Sequence, residues 1–552
     1  MRPESGPDAE HRANSKMSEQ KILISDNLSP GVVDLLNQAG FSPQFEPDIS
    51  RKDLLATIGD TDVLLVRSKT QVDVELLEKA GKLKVVGRAG AGVDNIDLDS
   101  ATRKGVLVLN TPGGNSISAA EHTMALLLAL ARKVSRADST MKQGKWDKKQ
   151  FEGIELQGKT LGLLGLGKIG SEVAKRARAF GMEVVAYDPY VSEKLARELE
   201  VELLSLDDLL SRADFISLHL PLVDATERLI NSTAIGKMKP GVRLINCARG
   251  GLVDEAALLQ ALENGQVAAA ALDVFEQEPS PNQKLIGHAN VIATPHIAGS
   301  TQEAQEKVGF EIVQQIIDYL RKGVVRNAVN FASISPREFE LVAPYMELGE
   351  KLGLFLGQIS TIRVSEIGIR YYGELASMNF KPISSCILKG IFQANRIEGV
   401  NMINAFNAAV ERRILVTETS SNRERGFKNL ISLQLRNEAE TVWAEGALLH
   451  RGNLRLVSVD GIGLESPMGD FLLFIRNLDQ PGVIGQVGTA LGNDGINIAS
   501  FTLGRHEVRG EAVGIVNTDS PVSGELLKRI RELPAVSFAA TVCLGSDLRR
   551  CT

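Results

Sequence analysis

LGLLGLGKIGSEVAKRARAFGMEVVAYD, Leu161 to Asp188, holds an apolar run, three glycines within six positions, a helix-like run and a second apolar run that ends in a carboxylate. The segment Thr160 to Leu164 has the length and character of a strand and stops at Gly165. Gly165 permits a tight turn there. Gly167 lets backbone N–H groups approach a pyrophosphate, and Gly170 lets helix and strand pack closely, with the helix N-terminus facing the phosphates. The helix starts near Lys168 and ends at Phe180-Gly181. The strand that follows, EVVAYD, puts Asp188 where a carboxylate accepts hydrogen bonds from a ribose. Its charge repels a 2′-phosphate, and Pro189 and Tyr190 stand where an arginine commonly accommodates one, so the cofactor expected is NAD rather than NADP.

Outward from this loop, the chain from Lys21 alternates short apolar runs (KILIS, VLLV, LKVVG, VLVLN) with helix-like segments, and a second alternation begins after Lys159. That rhythm predicts strand–helix units on parallel sheets. Ser118 to Lys142 reads as one long helix. Glu338 to Leu356 is helix-like with Pro344 as an interruption, and irregular signals then lead to the polar stretch TETSSNRERG. From Asp470 the order is β-α-β-β-α-β. The fold class expected is α/β: two Rossmann-like doubly wound parallel-sheet domains, an α+β intervening domain and a C-terminal ferredoxin-like module. The boundaries expected are a disordered leader at 1–18, a discontinuous substrate-binding domain at 19–115 and 297–330, an NAD-binding domain at 116–296, an intervening domain at 335–465 and a regulatory module at 470–545.

Composition narrows the function classes. The chain has 552 residues, too many for one ordinary core, and a net charge of −6, which gives no overall basic field for nucleic acid or an anionic membrane. Its four cysteines are widely spaced with no C-x-x-C, against a disulfide framework or a metal site and in keeping with a reducing cytoplasm. The polar N-terminus has no apolar core of a secretory signal, and the apolar run Met124 to Ala131 is too short to span a bilayer.

Three later fragments end predicted strands: Arg249 in INCARGG, Glu278 in DVFEQEP and His296 in ATPHIAGST. Hydride transfer from a hydroxy acid needs a base for the hydroxyl proton, a cation for the carboxylate and an acid partner that tunes the base. Each of the three alone reads equally as a packing or surface residue. Together, GLGKIG, HLPL, NCARGGLVDE, ALDVFEQEP and TPHIAGST resemble the D-isomer-specific 2-hydroxyacid dehydrogenase family. The resemblance implies His296 as general acid/base, Glu278 hydrogen-bonded to it, and Arg249 on the substrate carboxylate. It also implies NAD contacts at Gly165, Gly167, Lys168, Ile169, Gly170, Asp188, Cys247, Ala248, Arg249, Asp273, His296 and Gly299. Ala91 and Leu220 stand where some members carry a threonine, so a hydroxyl contact is not expected at either.

GRAGAGVDNID, NTPGGNSISAAEHT and GSTQEAQEKVG resemble the branch of that family that acts on 3-phosphoglycerate. A substrate with both phosphate and carboxylate needs more than one cation. Candidates are Arg67, Arg88 and Arg132, with Lys69 beside them, the backbone from Ala89 and Gly90 to Gly92, and Asn110. NLDQPGVIGQVGTALGNDGINIASFTLGR resembles an ACT domain, which implies pairing in a homo-oligomer, dimer or tetramer, and an L-serine effector held by Asn477, Asp479 and Asn497. Two rival readings share the nucleotide site: a glyoxylate or hydroxypyruvate reductase, and a non-catalytic NAD-sensing protein.

Overall fold

The computed structural model describes residues 20–449 and 452–545, so the leader expected at 1–18 lies outside the described residues. The first sheet is parallel: β1 (Ile22–Ile24), β2 (Gln44–Phe45), β3 (Val63–Val66), β4 (Val85–Arg88) and β5 (Leu107–Leu109), in the order β2-β1-β3-β4-β5. Its strands read as unbroken apolar runs because both faces are covered. Ile22, Ile24, Val63 and Leu65 pack with Val308, Ile312 and Ile316 of the helix Gln302–Lys322. Leu23, Leu64 and Val66 pack on the other face with Leu54, Leu76 and Leu77. The chain therefore returns to the first sheet after building the second.

The second sheet contains β6 (Thr160–Leu164), β7 (Glu183–Tyr187), β8 (Glu202–Leu203), β9 (Phe215–Leu218), β10 (Val242–Asn246), β11 (Val267–Leu272) and β12 (Val291–Ala293). Its order is β12-β11-β10-β9-β6-β7-β8, and every pairing is parallel. The strand order reverses at β6, which has β7 on one side and β9 on the other. This is the switch point at which open α/β sheets leave a crevice, and the glycine loop opens there.

The single helix expected over Ser118 to Lys142 is two helices, Ser116–Arg132 and Val134–Lys142. Lys133 between them adopts the left-handed conformation at φ 55°, which breaks the hydrogen-bond ladder. The first helix buries ten residues and the second none, so their surroundings differ where their sequence periodicity does not.

Pro344 does not interrupt the next long helix, Pro336–Ile359. A proline inside a helix removes one backbone bond. Here Val342, Tyr345, Leu348 and Leu352 are buried around it, and the helix packs closely on Lys381–Ala394. Gly353 and Gly390 make that approach close: a Cβ at either would lie 2.2 or 2.3 Å from a carbonyl oxygen of the opposite helix.

A mixed sheet covers this helix pair: β13 (Glu366–Gly373), β14 (Leu415–Ser421), β15 (Asn429–Arg436), β16 (Thr441–Leu449), β17 (Asn453–Val459) and β18 (Ile462–Pro467). The polar TETSS stretch is strand β14 at the sheet edge, where half-exposed polar side chains are tolerated. The last sheet is antiparallel, with β19 (Phe471–Leu478), β20 (Ile498–Arg505), β21 (Glu511–Thr518) and β22 (Val536–Cys543) in the order β20-β21-β19-β22. One face packs on its own helices. Phe474, Ile515 and Val542 on the other face share a core with Phe355 and Leu352 of the long helix.

Among the described residues no helix is long and apolar enough to cross a membrane, and no cluster of His, Cys, Asp or Glu has the arrangement of a metal site. Cys247 and Cys386 are buried thiols, whereas Cys543 is disulfide-bonded, a cross-link that cysteine spacing did not announce.

Candidate active site at the facing sheet edges

The glycine loop has a separate reason for each glycine. Gly165 has φ 99°, and a Cβ there would lie 2.6 Å from the His219 carbonyl oxygen. At Gly170 a Cβ would lie 2.2 Å from the Gly165 oxygen, so helix and loop touch backbone to backbone. A Cβ at Gly167 would meet nothing within 4 Å among the described residues, and the helix Lys168–Ala179 starts immediately after it. An open N-terminus behind a glycine fits a pyrophosphate. The Asp188 carboxylate ends β7, accepting from Leu166 N at 2.9 Å and Tyr190 N at 2.9 Å while staying partly exposed. Lys168 donates to Pro112 O at 2.8 Å. Cys247 is buried beneath the loop after β10, and burial pushes its thiol up to about 12.

His296 and Glu278 come together from the loops after β12 and β11, with Nδ1 and Oε2 2.7 Å apart. The other carboxylate oxygen of Glu278 accepts from Phe275 N at 3.0 Å, which fixes the direction of the pair. The hydrogen bond to Glu278 raises the pKa of His296 against the lowering effect of burial, while the Arg249 charge pulls it down. For Glu278, burial acts upward, and the bonds from His296 and Phe275 N outweigh it, leaving the carboxyl lowered.

His296 itself has φ 54°, a costly conformation for a residue with a Cβ. Asp273 holds it there. Its carboxylate accepts from Thr294 Oγ1 at 2.6 Å, Ile297 N at 2.9 Å and Ala298 N at 2.8 Å, and its carbonyl accepts from His296 N. Asp273 is fully buried, and its carboxylate supports the histidine loop. His122 and Asn246, which the sequence reading passed over, act at the same level. His122 Nε2 lies 3.5 Å from Asp273 Oδ1. Asn246 accepts from Ala248 N and donates to Arg249 O, stapling the loop that carries Arg249.

From the first sheet, Arg88 at the end of β4 reaches the same crevice, where burial lowers its guanidinium to about 10. The charges of Asp94, Arg249, Arg67 and Asp26 all act on it, which places these groups in one cluster. Asn95 organises them, accepting from Arg88 Nε at 3.1 Å and donating to the carbonyls of Arg67 and Thr70.

The remaining candidates are placed as follows. The N–H of Ala89 is bonded to Val66 O and that of Gly90 to Arg88 O, so neither is free for a ligand; those of Ala91 and Gly92 have no partner among the described residues. Asn110 spends its amide on Ala91 O at 2.6 Å and supports this loop from behind. Arg132 ends the helix whose Ser118 meets Thr301, and 14 residues of helix put it about 21 Å from that contact.

That cavity, of about 140 Å³, lies between β19 and the following helix and is lined by Asn477, Asp479, Pro481, Gly482, Phe501 and Leu503, among others. Asp479 accepts from Arg505 Nη1 at 2.6 Å and is lowered by that bond. Asn497 does not line it. Its amide donates to Asp519 at 2.6 Å, at the start of β20 and away from Phe501 and Leu503.

Comparison with known proteins adds the family. Residues 124–298 match the NAD-binding domain of D-isomer-specific 2-hydroxyacid dehydrogenases, 341–460 the D-3-phosphoglycerate dehydrogenase intervening domain, and 471–535 the ACT domain. A D-3-phosphoglycerate dehydrogenase of Methanocaldococcus jannaschii is 42% identical over 525 residues, covering 95% of this chain and 100% of its own. The chain belongs to the D-3-phosphoglycerate dehydrogenase family. A Synechocystis member is 40% identical over 95% of each chain. The crystal structure of a glyoxylate reductase from Paecilomyes thermophila superposes with a TM-score of 0.53 at 30% identity, over 57% of this chain and 99% of that one. Family membership brings an NAD-binding domain and makes the chain one of the 2-hydroxyacid dehydrogenases.

Proposed function

We propose that the protein oxidises D-3-phosphoglycerate to 3-phosphohydroxypyruvate with NAD, the reaction that opens L-serine synthesis. The observation that carries this reading is the His296–Glu278 pair, 2.7 Å apart, beside Arg249, whose charge acts on both His296 and Arg88, with Arg67 acting on Arg88 as well. NAD bound at the Gly167 opening supplies the hydride acceptor. Neutral His296 takes the hydroxyl proton through Nε2, and Glu278 on Nδ1 stabilises the imidazolium that results. Arg249 and the free N–H groups of Ala91 and Gly92 hold the carboxylate, while Arg88 and Arg67 favour the phosphate. In the reverse direction imidazolium returns the proton.

A glyoxylate reductase has the same base and nucleotide site, and the superposed structure bears that name. It has no use for three arginines, nor for the C-terminal half of this chain. We further infer a homo-oligomer, because the helix Val134–Lys142 has no buried residue and Val134, Met141 and Trp146 project from it and the turn beyond, with Trp146 84% exposed. His296→Asn tests the proton step. Turnover is expected to fall on the order of a hundredfold or more while NAD affinity by calorimetry stays within about twofold. Near-normal turnover in that variant would remove His296 from the mechanism.

A further inference from the structure

Arg249 already has a carboxylate. Its Nε lies 3.0 Å from Asp94 Oδ2 and 3.2 Å from Oδ1, and its Nη1 donates to its own neighbour, Ala248 O, at 2.7 Å. Asp94 sits in the loop after β4 of the first sheet, Arg249 in the loop after β10 of the second. Among the described residues this is the one ion pair that joins the crevice loops of the two sheets. The guanidinium is pressed over Gly92, where a Cβ would lie 2.0 Å from Nη2 and 2.8 Å from Asp94 Oδ2. Arg249, the unbonded N–H of Gly92 and the Asp94 carboxylate thus meet at a single point.

We propose that Asp94 is a positioning residue that stands in for the substrate carboxylate, clasping Arg249 across the crevice until substrate displaces it. The proposal rests on the reading above that Arg249 binds the carboxylate. Both anions need the same edge of the donor: Asp94 holds the guanidinium at Nε while one Nη1 N–H is committed to Ala248 O, so a carboxylate that takes the Nε edge must displace Asp94. Asp94 is 60% exposed at its side chain, so it can swing into solvent, whereas Asp26 beneath the cluster is buried and tied to Arg67 N and Thr70. Of the two acids facing the three arginines, only Asp94 is displaceable. Its effect is to keep Arg249 extended toward the first sheet in the unliganded protein and to weaken binding of every carboxylate by the strength of the clasp.

The test compares wild type with Asp94→Asn and Asp94→Ala in steady-state oxidation of D-3-phosphoglycerate, with NAD affinity measured by calorimetry. Competition predicts that KM for the hydroxy acid falls about two- to fivefold in both variants, the range open to one exposed ion pair. NAD affinity is unchanged, because Asp94 belongs to the loop after β4 of the first sheet and the glycine loop follows β6 of the second. A KM that stays constant or rises, with NAD affinity intact, overturns the proposal and makes Asp94 an ordinary support of Arg249. The wild-type protein in the same assay separates the two readings. If wild type does not oxidise the substrate, the functional reading fails; if it does and KM does not fall in the variants, only the clasp fails.

Discussion

His296 is held in a left-handed backbone conformation by an acid that never touches its ring, and its basicity is set by another that does. Because the Glu278 hydrogen bond raises the pKa of His296, the oxidation rate, which needs the neutral ring, declines as pH falls through that raised value. Glu278→Gln removes the largest upward cause, so the acidic limb of the kcat/KM profile is expected to move to lower pH. An unmoved limb would break the pairing. This dyad was legible in the sequence because both residues follow strand-like runs whose ends line the crevice. Asp94, Asn95, His122 and Asn246 were not. Each acts through one to three hydrogen bonds or ion-pair contacts that no spacing in the sequence announces. Asp273 and Asn110 were visible, but a polar side chain near the crevice does not announce in the sequence that its oxygens or amide also bond the loop behind it.

At the scale of the element, the loop between β6 and its helix separates two uses of glycine that look alike on paper. Gly170→Ala drives a Cβ into the Gly165 carbonyl and is expected to cost about 1–3 kcal/mol of stability, read from denaturant unfolding. Gly167→Ala meets nothing in the protein, so stability should hold within about 0.5 kcal/mol. NAD affinity should nevertheless fall about tenfold, or ~1.4 kcal/mol, by calorimetry. Equal loss of stability in both variants would contradict the assignment of Gly167 to the ligand. The parallel strands were easy to recognise because burial on both faces leaves only apolar residues. The helix break at Lys133 and the edge strand at TETSS were not, since a lysine carries no signal for a left-handed turn and polar residues mark an edge strand as readily as a loop. Pro344 misled in the other direction, because burial of the face around it outweighs one missing backbone bond.

Across the whole molecule, the C-terminal sheet shares its core with the long helix Pro336–Ile359, and the intervening domain in turn hydrogen-bonds the first domain: Asn401 donates to Gly105 O at 2.8 Å and Asn404 to Arg103 O at 3.1 Å. Arg103 ends the helix Leu98–Arg103, which begins just after Asp94 and Asn95. A contiguous set of packed elements therefore connects the 140 Å³ cavity to the arginine cluster. The cavity's acid is already paired with Arg505, so an amino-acid ammonium must displace a guanidinium to reach it. L-serine is expected to bind Arg505→Ala more tightly than wild type in calorimetry and to inhibit turnover; no heat in either protein would leave the module purely structural. Upstream of regulation stands the reaction itself. The most direct test is NADH formation by the purified full chain with D-3-phosphoglycerate, beside NADH consumption with glyoxylate and hydroxypyruvate. The account predicts that 3-phosphohydroxypyruvate and NADH form together with D-3-phosphoglycerate, at a kcat/KM well above that for the unphosphorylated acids. Turnover of glyoxylate alone, or NAD binding without turnover of any of the three, would contradict it.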